Sequence, residues 1–137
     1  MSEDPFERIY AKPEEFDFAK KEIIANILEP FIRIDINTGT FNPVSQGWVK
    51  QTTRTKVMIY LLARLALSTA NSEFPNKAST KEVEDSTELP GGTVRPKLRE
   101  LIESKIAKQT EDGFYYIPAT WLSINNAKAL FDKEVKE

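Results

Sequence analysis

Between Val57 and Leu67 the chain carries one charged residue, Arg64, and otherwise reads Val-Met-Ile-Tyr-Leu-Leu-Ala and Leu-Ala-Leu. A helix of this composition is apolar nearly all round, so it has to be covered on most sides, by the rest of the fold or by a second subunit. Thr52 or Thr53 can cap it, and it is expected to run to about Ser68. The unbroken apolar run, Val57 to Ala63, falls far short of the ~20 residues that cross a bilayer. Met1–Tyr10 is acidic and lacks the apolar stretch of a signal sequence. The expectation is therefore a cytoplasmic protein without membrane contact, built around a buried central helix.

What can cover that helix is written on both sides of it. Residues 1–12 read as a loose terminus broken by Pro5. A helix is expected from Pro13 or Glu14 to Leu28, with Glu14, Glu15 and Asp17 complementing its N-terminal dipole and Pro30 ending it. Phe16, Ala19, Ile23 and Ile27 recur at helical spacing, widened by Ile24 and Leu28. Phe31–Ile36 then alternates, with Ile32, Ile34 and Ile36 on one face and Arg33 and Asp35 on the other. Asn37-Thr38-Gly39 is turn chemistry, and Thr40-Phe41 can return as a short strand. Asn42 to Gly47 reads as a loop, after which Trp48 and Val49 are expected to dock on the core. Residues 13–49 thus form an extension in front of a domain over 50–118. After it, in 119–137, Trp121, Ile124, Ala127 or Lys128, and Phe131 mark a short amphipathic C-terminal helix. The surplus apolar stripes of the two terminal helices are candidates for pairing two subunits.

Downstream of a loop over Asn71–Lys77, three signals follow in order. Ser79-Thr80-Lys81-Glu82 fits a capping box, in which the Ser79 hydroxyl accepts from the Glu82 amide and Glu82 reaches back. Leu89-Pro90-Gly91-Gly92 is a turn, proline stopping the helix and the glycines supplying unusual backbone angles. A second helix begins at Gly92 or Thr93, with Pro96 accommodated in its first turn. Val94, Leu98, Leu101 and Ile102 share one face. Pro96, Lys97, Arg99 and Glu100 face away, with Arg95 at the margin. Ile106–Thr110 and Phe114–Ile117 are strand-like and joined by Glu111-Asp112-Gly113. In the second of them Tyr115 and Tyr116 should point to opposite faces, one to the core and one to the surface.

In this stretch, Ser79–Pro118, the chain resembles the winged helix-turn-helix superfamily, in the manner of small prokaryotic and archaeal transcriptional regulators. The Thr93-Val94-Arg95 start, the Leu98…Leu101 spacing and the hairpin that follows carry the likeness. The resemblance implies an α+β, mostly helical fold: a winged helix with an added N-terminal helix and strand and a C-terminal helix. It implies double-stranded DNA as partner, a homodimer matched to two half-sites, and a recognition helix entering the major groove. Thr93, Arg95, Lys97 and Arg99 would contact the duplex from that helix, Lys105 and Lys108 from its end and the first wing strand, and Arg54 and Lys56 from the start of the central helix. Two positions depart from the pattern. The residue after the second helix, often glycine, falls at Ser104-Lys105, and the wing tip carries Glu111 and Asp112, which a phosphate backbone repels.

Composition bounds the alternatives. The chain has neither cysteine nor histidine, which removes disulfides, thiolate or imidazole metal sites and nucleophile–histidine catalysis. No glycine-rich phosphate loop or spaced carboxylate set stands out, so the expectation is a protein that is not an enzyme and holds no cofactor. The net charge of −2 is not that of a strongly basic binder, but it is unevenly spread. Residues 1–37 hold nine acidic and five basic side chains, whereas residues 50–70 hold Lys50, Arg54, Lys56 and Arg64 and no acid. Residues 91–110 hold five bases against Glu100 and Glu103. Arg99 also stands four residues before Glu103, the spacing of an ion pair within a helix. The acidic balance keeps a second reading open: a winged helix used for protein contact inside a replication, segregation or processing complex.

Overall fold

The computed structural model describes residues 13–123 and 127–134, with the side chains of 13–19, Gly91 and 122–130 left aside. It is an α+β fold, mostly helical: α1 (Pro13–Leu28), β1 (Ile32–Ile34), β2 (Phe41–Pro43), α2 (Gln46–Lys50), α3 (Thr53–Ala70), α4 (Thr80–Thr87), α5 (Gly91–Glu103), β3 (Lys108–Gln109), β4 (Tyr115–Tyr116), a 3-10 turn (Ala119–Ser123) and α6 (Ala127–Glu134). Among the described residues no helix is long and apolar enough to cross a membrane.

Helix α3 is the post on which the others lean. Thr52 caps it by accepting from the Thr55 amide, and Val57 through Ala63, Leu65 and Leu67 are all buried. It packs against α1, α4, α5 and β4. Fully burying an aliphatic side chain of this size contributes ~1.5–3 kcal/mol, so these residues dominate the fold's stability. Ile24, Ile27, Leu28 and Phe31 join the same cluster from the N-terminal side, and Trp121 and Phe131 from the C-terminal side. Phe131 meets Phe31 edge-on at 6.3 Å between ring centres. Where they are described, the apolar stripe residues Ile24, Ile27, Leu28 and Phe131 of the terminal helices are covered within the chain.

The first strand is shorter than the alternation predicts. β1 and β2 pair antiparallel with Ile34 opposite Phe41, and Ile36 lies outside the strand, half exposed. The cause is Asp35, whose carboxylate accepts from the Asn37 and Thr38 amides at 2.9 and 3.2 Å. This local turn competes with the ladder and ends it. Gly39 completes the turn at φ 76°, where a Cβ would also stand 2.7 Å from the Phe74 ring. Part of the expected loop over 42–47 belongs to β2 and to α2, which seats Trp48 in the core beside Phe41 but leaves Val49 60% exposed. Successive residues of a single-turn helix cannot both face inward.

Candidate nucleic-acid interface

Helix α4 starts on the expected capping box: the Glu82 amide donates to Ser79 Oγ at 3.1 Å, and the Ser79 amide to the Glu82 carboxylate at 3.3 Å. The turn after it differs from the expectation. Its left-handed residue is Glu88, φ 59°, while Pro90 caps α5 and both glycines lie in that helix's first turn. The earlier start places Pro96 sixth in α5, beyond the first turn. Gly92, whose carbonyl an amide at 96 would have served, is exposed. Val94, Leu98 and Leu101 are fully buried against α3 and α4.

α5 ends in a Schellman motif built on a lysine. The Ile106 amide bonds the Leu101 carbonyl and the Lys105 amide the Ile102 carbonyl, both at 3.0 Å, with Lys105 at φ 63°. The chain then enters a hairpin in which Lys108 faces Tyr116 and Gln109 faces Tyr115. Its other edge is not bare. Ala78 and Tyr115 exchange both backbone hydrogen bonds, at 2.9 and 2.8 Å, tying the hairpin to the entry of α4. Tyr115 and Tyr116 are both half-buried, and Tyr115 packs against the core cluster. At the tip, the Thr110 hydroxyl donates to the Asp112 carboxylate, with Lys77 3.7 Å away. These two contacts, the hydroxyl first, hold Asp112 below its ordinary carboxylate pKa.

The eight residues singled out above fall into three groups. Arg95 and Arg99 are exposed, one turn apart on α5, and among the described residues neither makes an ion pair or hydrogen bond. They border an open cleft of about 390 Å³ whose other walls are Gly92, Pro96 and Glu84. Lys105 and Lys108 are exposed beyond the end of α5, and Thr93 is exposed but turned back on its own helix, its hydroxyl donating to the Pro90 carbonyl at 2.7 Å.

The remaining three are engaged inside the fold. Arg54 meets Glu134 of α6 at 3.1 Å and Glu100 of α5 at 3.6 Å, and donates to Ser104 Oγ at 3.3 Å. Lys97 donates to Glu100 at 2.8 Å, so the ion pair formed on α5 is Lys97–Glu100, three residues apart, instead of Arg99–Glu103. Glu100 is held below its ordinary pKa by that lysine first and by Arg54 next. Lys56 stands over the Trp48 ring, 5.6 Å from its centre. Arg64 is withdrawn as well, donating to the Pro75 and Lys77 carbonyls at 2.9 and 2.8 Å. The basic segment 50–70 is thus mostly internal wiring, and the linear charge count overstated its positive surface.

Sequence reasoning missed Glu84 and Gly92 as neighbours of the two arginines. No local spacing links position 84 to position 95, and only the path of the turn between α4 and α5 brings them together. Comparison with known proteins finds no matching family model, no matching curated protein and no matching solved structure.

Proposed function

We propose that this chain is a winged helix-turn-helix protein that binds double-stranded DNA through the exposed face of α5, as a transcriptional regulator does. The observation that carries the reading is the pair of uncommitted arginines, Arg95 and Arg99, beside an open cleft. A guanidinium fixed on a helix but free of internal partners can donate bidentately to guanine O6 and N7 or to a phosphate. Glu84 in the same cleft repels phosphate and accepts from an amine such as cytosine N4, so the cleft is better suited to a base edge than to the backbone. Lys105 and Lys108 supply phosphate contacts beyond the helix. The order of α4, tight turn, α5 and hairpin supports the same reading.

Few cations are free, so the salt dependence should be shallow. Two phosphate contacts, from Lys105 and Lys108, give a slope of log affinity against log salt of about −2. Anisotropy titration of random duplex DNA at two salt concentrations measures it. Arg54→Ala should leave the slope alone, whereas Lys108→Ala should flatten it by about one unit. If no duplex binds at low ionic strength, the α5 face is a solvated one. The acidic wing tip of Glu111 and Asp112 then favours the protein-contact reading.

A further inference from the structure

The charged residues of α5 divide between two sides of its outward face. Arg95 and Arg99 stand on the side of Glu84 of α4, whereas Lys97 and Glu100 stand on the side of Arg54 of α3. On that second side carboxylates and cations alternate in a chain. Lys97 donates to Glu100 at 2.8 Å, Glu100 lies 3.6 Å from Arg54, and Arg54 lies 3.1 Å from Glu134 of α6. Arg54 also donates to Ser104 Oγ at 3.3 Å. Of the two carboxylates that Arg54 meets, the nearer is the one on α6.

A lone ion pair on a helix surface yields readily to a phosphate. Glu100 differs in being placed from its far side: Arg54 holds it there, and Arg54 is itself fixed by Glu134 and Ser104. The Thr55 hydroxyl, donating to the Glu134 carbonyl at 2.9 Å, keeps that carboxylate within reach of α3. In such a chain each link competes with the next. Arg54 drawn toward Glu134 leaves the charge of Glu100 to Lys97. Freed from Glu134, Arg54 would turn to Glu100, and Lys97 would be released. We propose that this chain is a gate on the duplex-binding face: Glu100 withholds Lys97 from DNA, and Glu134 of α6, by engaging Arg54, keeps it withheld. The inference rests on the DNA reading, to which it adds a cation held in reserve and a helix, α6, that governs its release.

The test is the salt dependence of random duplex binding by the full chain, read by anisotropy. Lys97→Ala should leave the wild-type slope unchanged. Glu100→Gln keeps the size of the side chain and removes its charge. It should tighten binding about threefold or more at low salt and steepen the slope by about one unit. In that background Lys97→Ala should flatten the slope by about one unit. The difference between the two backgrounds is the signature, because a lysine acting only through its long-range charge costs the same in both. Glu134→Gln leaves in place the backbone carbonyl that Thr55 holds. It should steepen the slope in the same direction, and Lys97→Ala should cancel the gain. None of the three positions is fully buried, so melting should stay close to wild type. Equal effects of Lys97→Ala with and without the Glu100 charge, in a protein that binds, would overturn the gate alone. A Glu134→Gln protein that binds as wild type does would overturn the share given to α6. If neither wild type nor Glu100→Gln binds any duplex, the DNA reading has failed and the gate falls with it.

Discussion

Gly92 occupies the second position of α5 in helical conformation, and a Cβ added there would meet nothing within 4 Å. On stability grounds alone, alanine is better at such a site by ~0.5–1 kcal/mol, because glycine loses more backbone freedom on folding. The methyl group would, however, project beside the cleft of Arg95 and Arg99. The expected outcome for Gly92→Ala is therefore two effects of opposite sign: a higher melting temperature and weaker duplex binding. A variant that is more stable and binds as well as wild type would show that the open space is incidental. Lys105 is the converse case. Its φ of 63° suits glycine, and an L side chain held there is strained by ~1 kcal/mol. Lys105→Gly should raise stability by ~0.5–1 kcal/mol in denaturant titration, while removing one phosphate contact and flattening the salt slope by about one unit. An unchanged slope with raised stability would take Lys105 out of the interface.

The turn between β1 and β2 shows how one side chain sets the limits of an element. The amide of Asn37 first, and that of Thr38 next, hold the Asp35 carboxyl below its ordinary value of 3.8. A lowered folded pKa means a contribution fully present above the unfolded value and lost as pH falls through the folded one. The loss therefore lies below pH 3.8. Asp35→Asn keeps an oxygen to accept from the amides but removes the charge. It should melt below wild type at neutral pH, and the gap should narrow as the pH is taken below 3.8. A gap independent of pH would mean that the turn is held by shape alone. Most elements were legible because their signals are local: the Ser79 capping box, the Thr52 cap, the 3.6-residue period of α5 and Gly113 in its hairpin. What escaped depended on partners far along the chain. Nothing near Arg54 announces Glu134, eighty residues on, and nothing in the hairpin announces that Ala78 lies along its edge. The candidate site was half legible for the same reason. α5 phase alone put Arg99 outside and Arg95 at the margin, while the withdrawal of Lys97 and Arg54 needed Glu100 and Glu134 in place.

At the scale of the whole molecule, the segment from α3 to β4 and the elements flanking it share one core. Buried residues of α1, α2, α3, α4, α5, the 3-10 turn and α6 form a single cluster. Arg54 links α3 to α5 and α6, and Thr55 of α3 donates to the Glu134 carbonyl at 2.9 Å. Residues 13–50 and 119–134 should then unfold with residues 53–118, since their described buried side chains belong to the same cluster as those of α3. Both tryptophans lie in the flanking elements, Trp48 in α2 and Trp121 in the 3-10 turn, and both are buried. Their fluorescence reports the flanks, whereas far-UV circular dichroism reports all helices together. In urea the two signals should give one coincident transition. Leu61, fully buried in α3, provides the sharper form of the test: Leu61→Ala should cost ~2–5 kcal/mol and move both midpoints by the same amount. If fluorescence falls at lower urea than dichroism, and Leu61→Ala shifts only the later transition, the flanks are a separately melting layer. The segment from α3 to β4 would then be a free-standing unit.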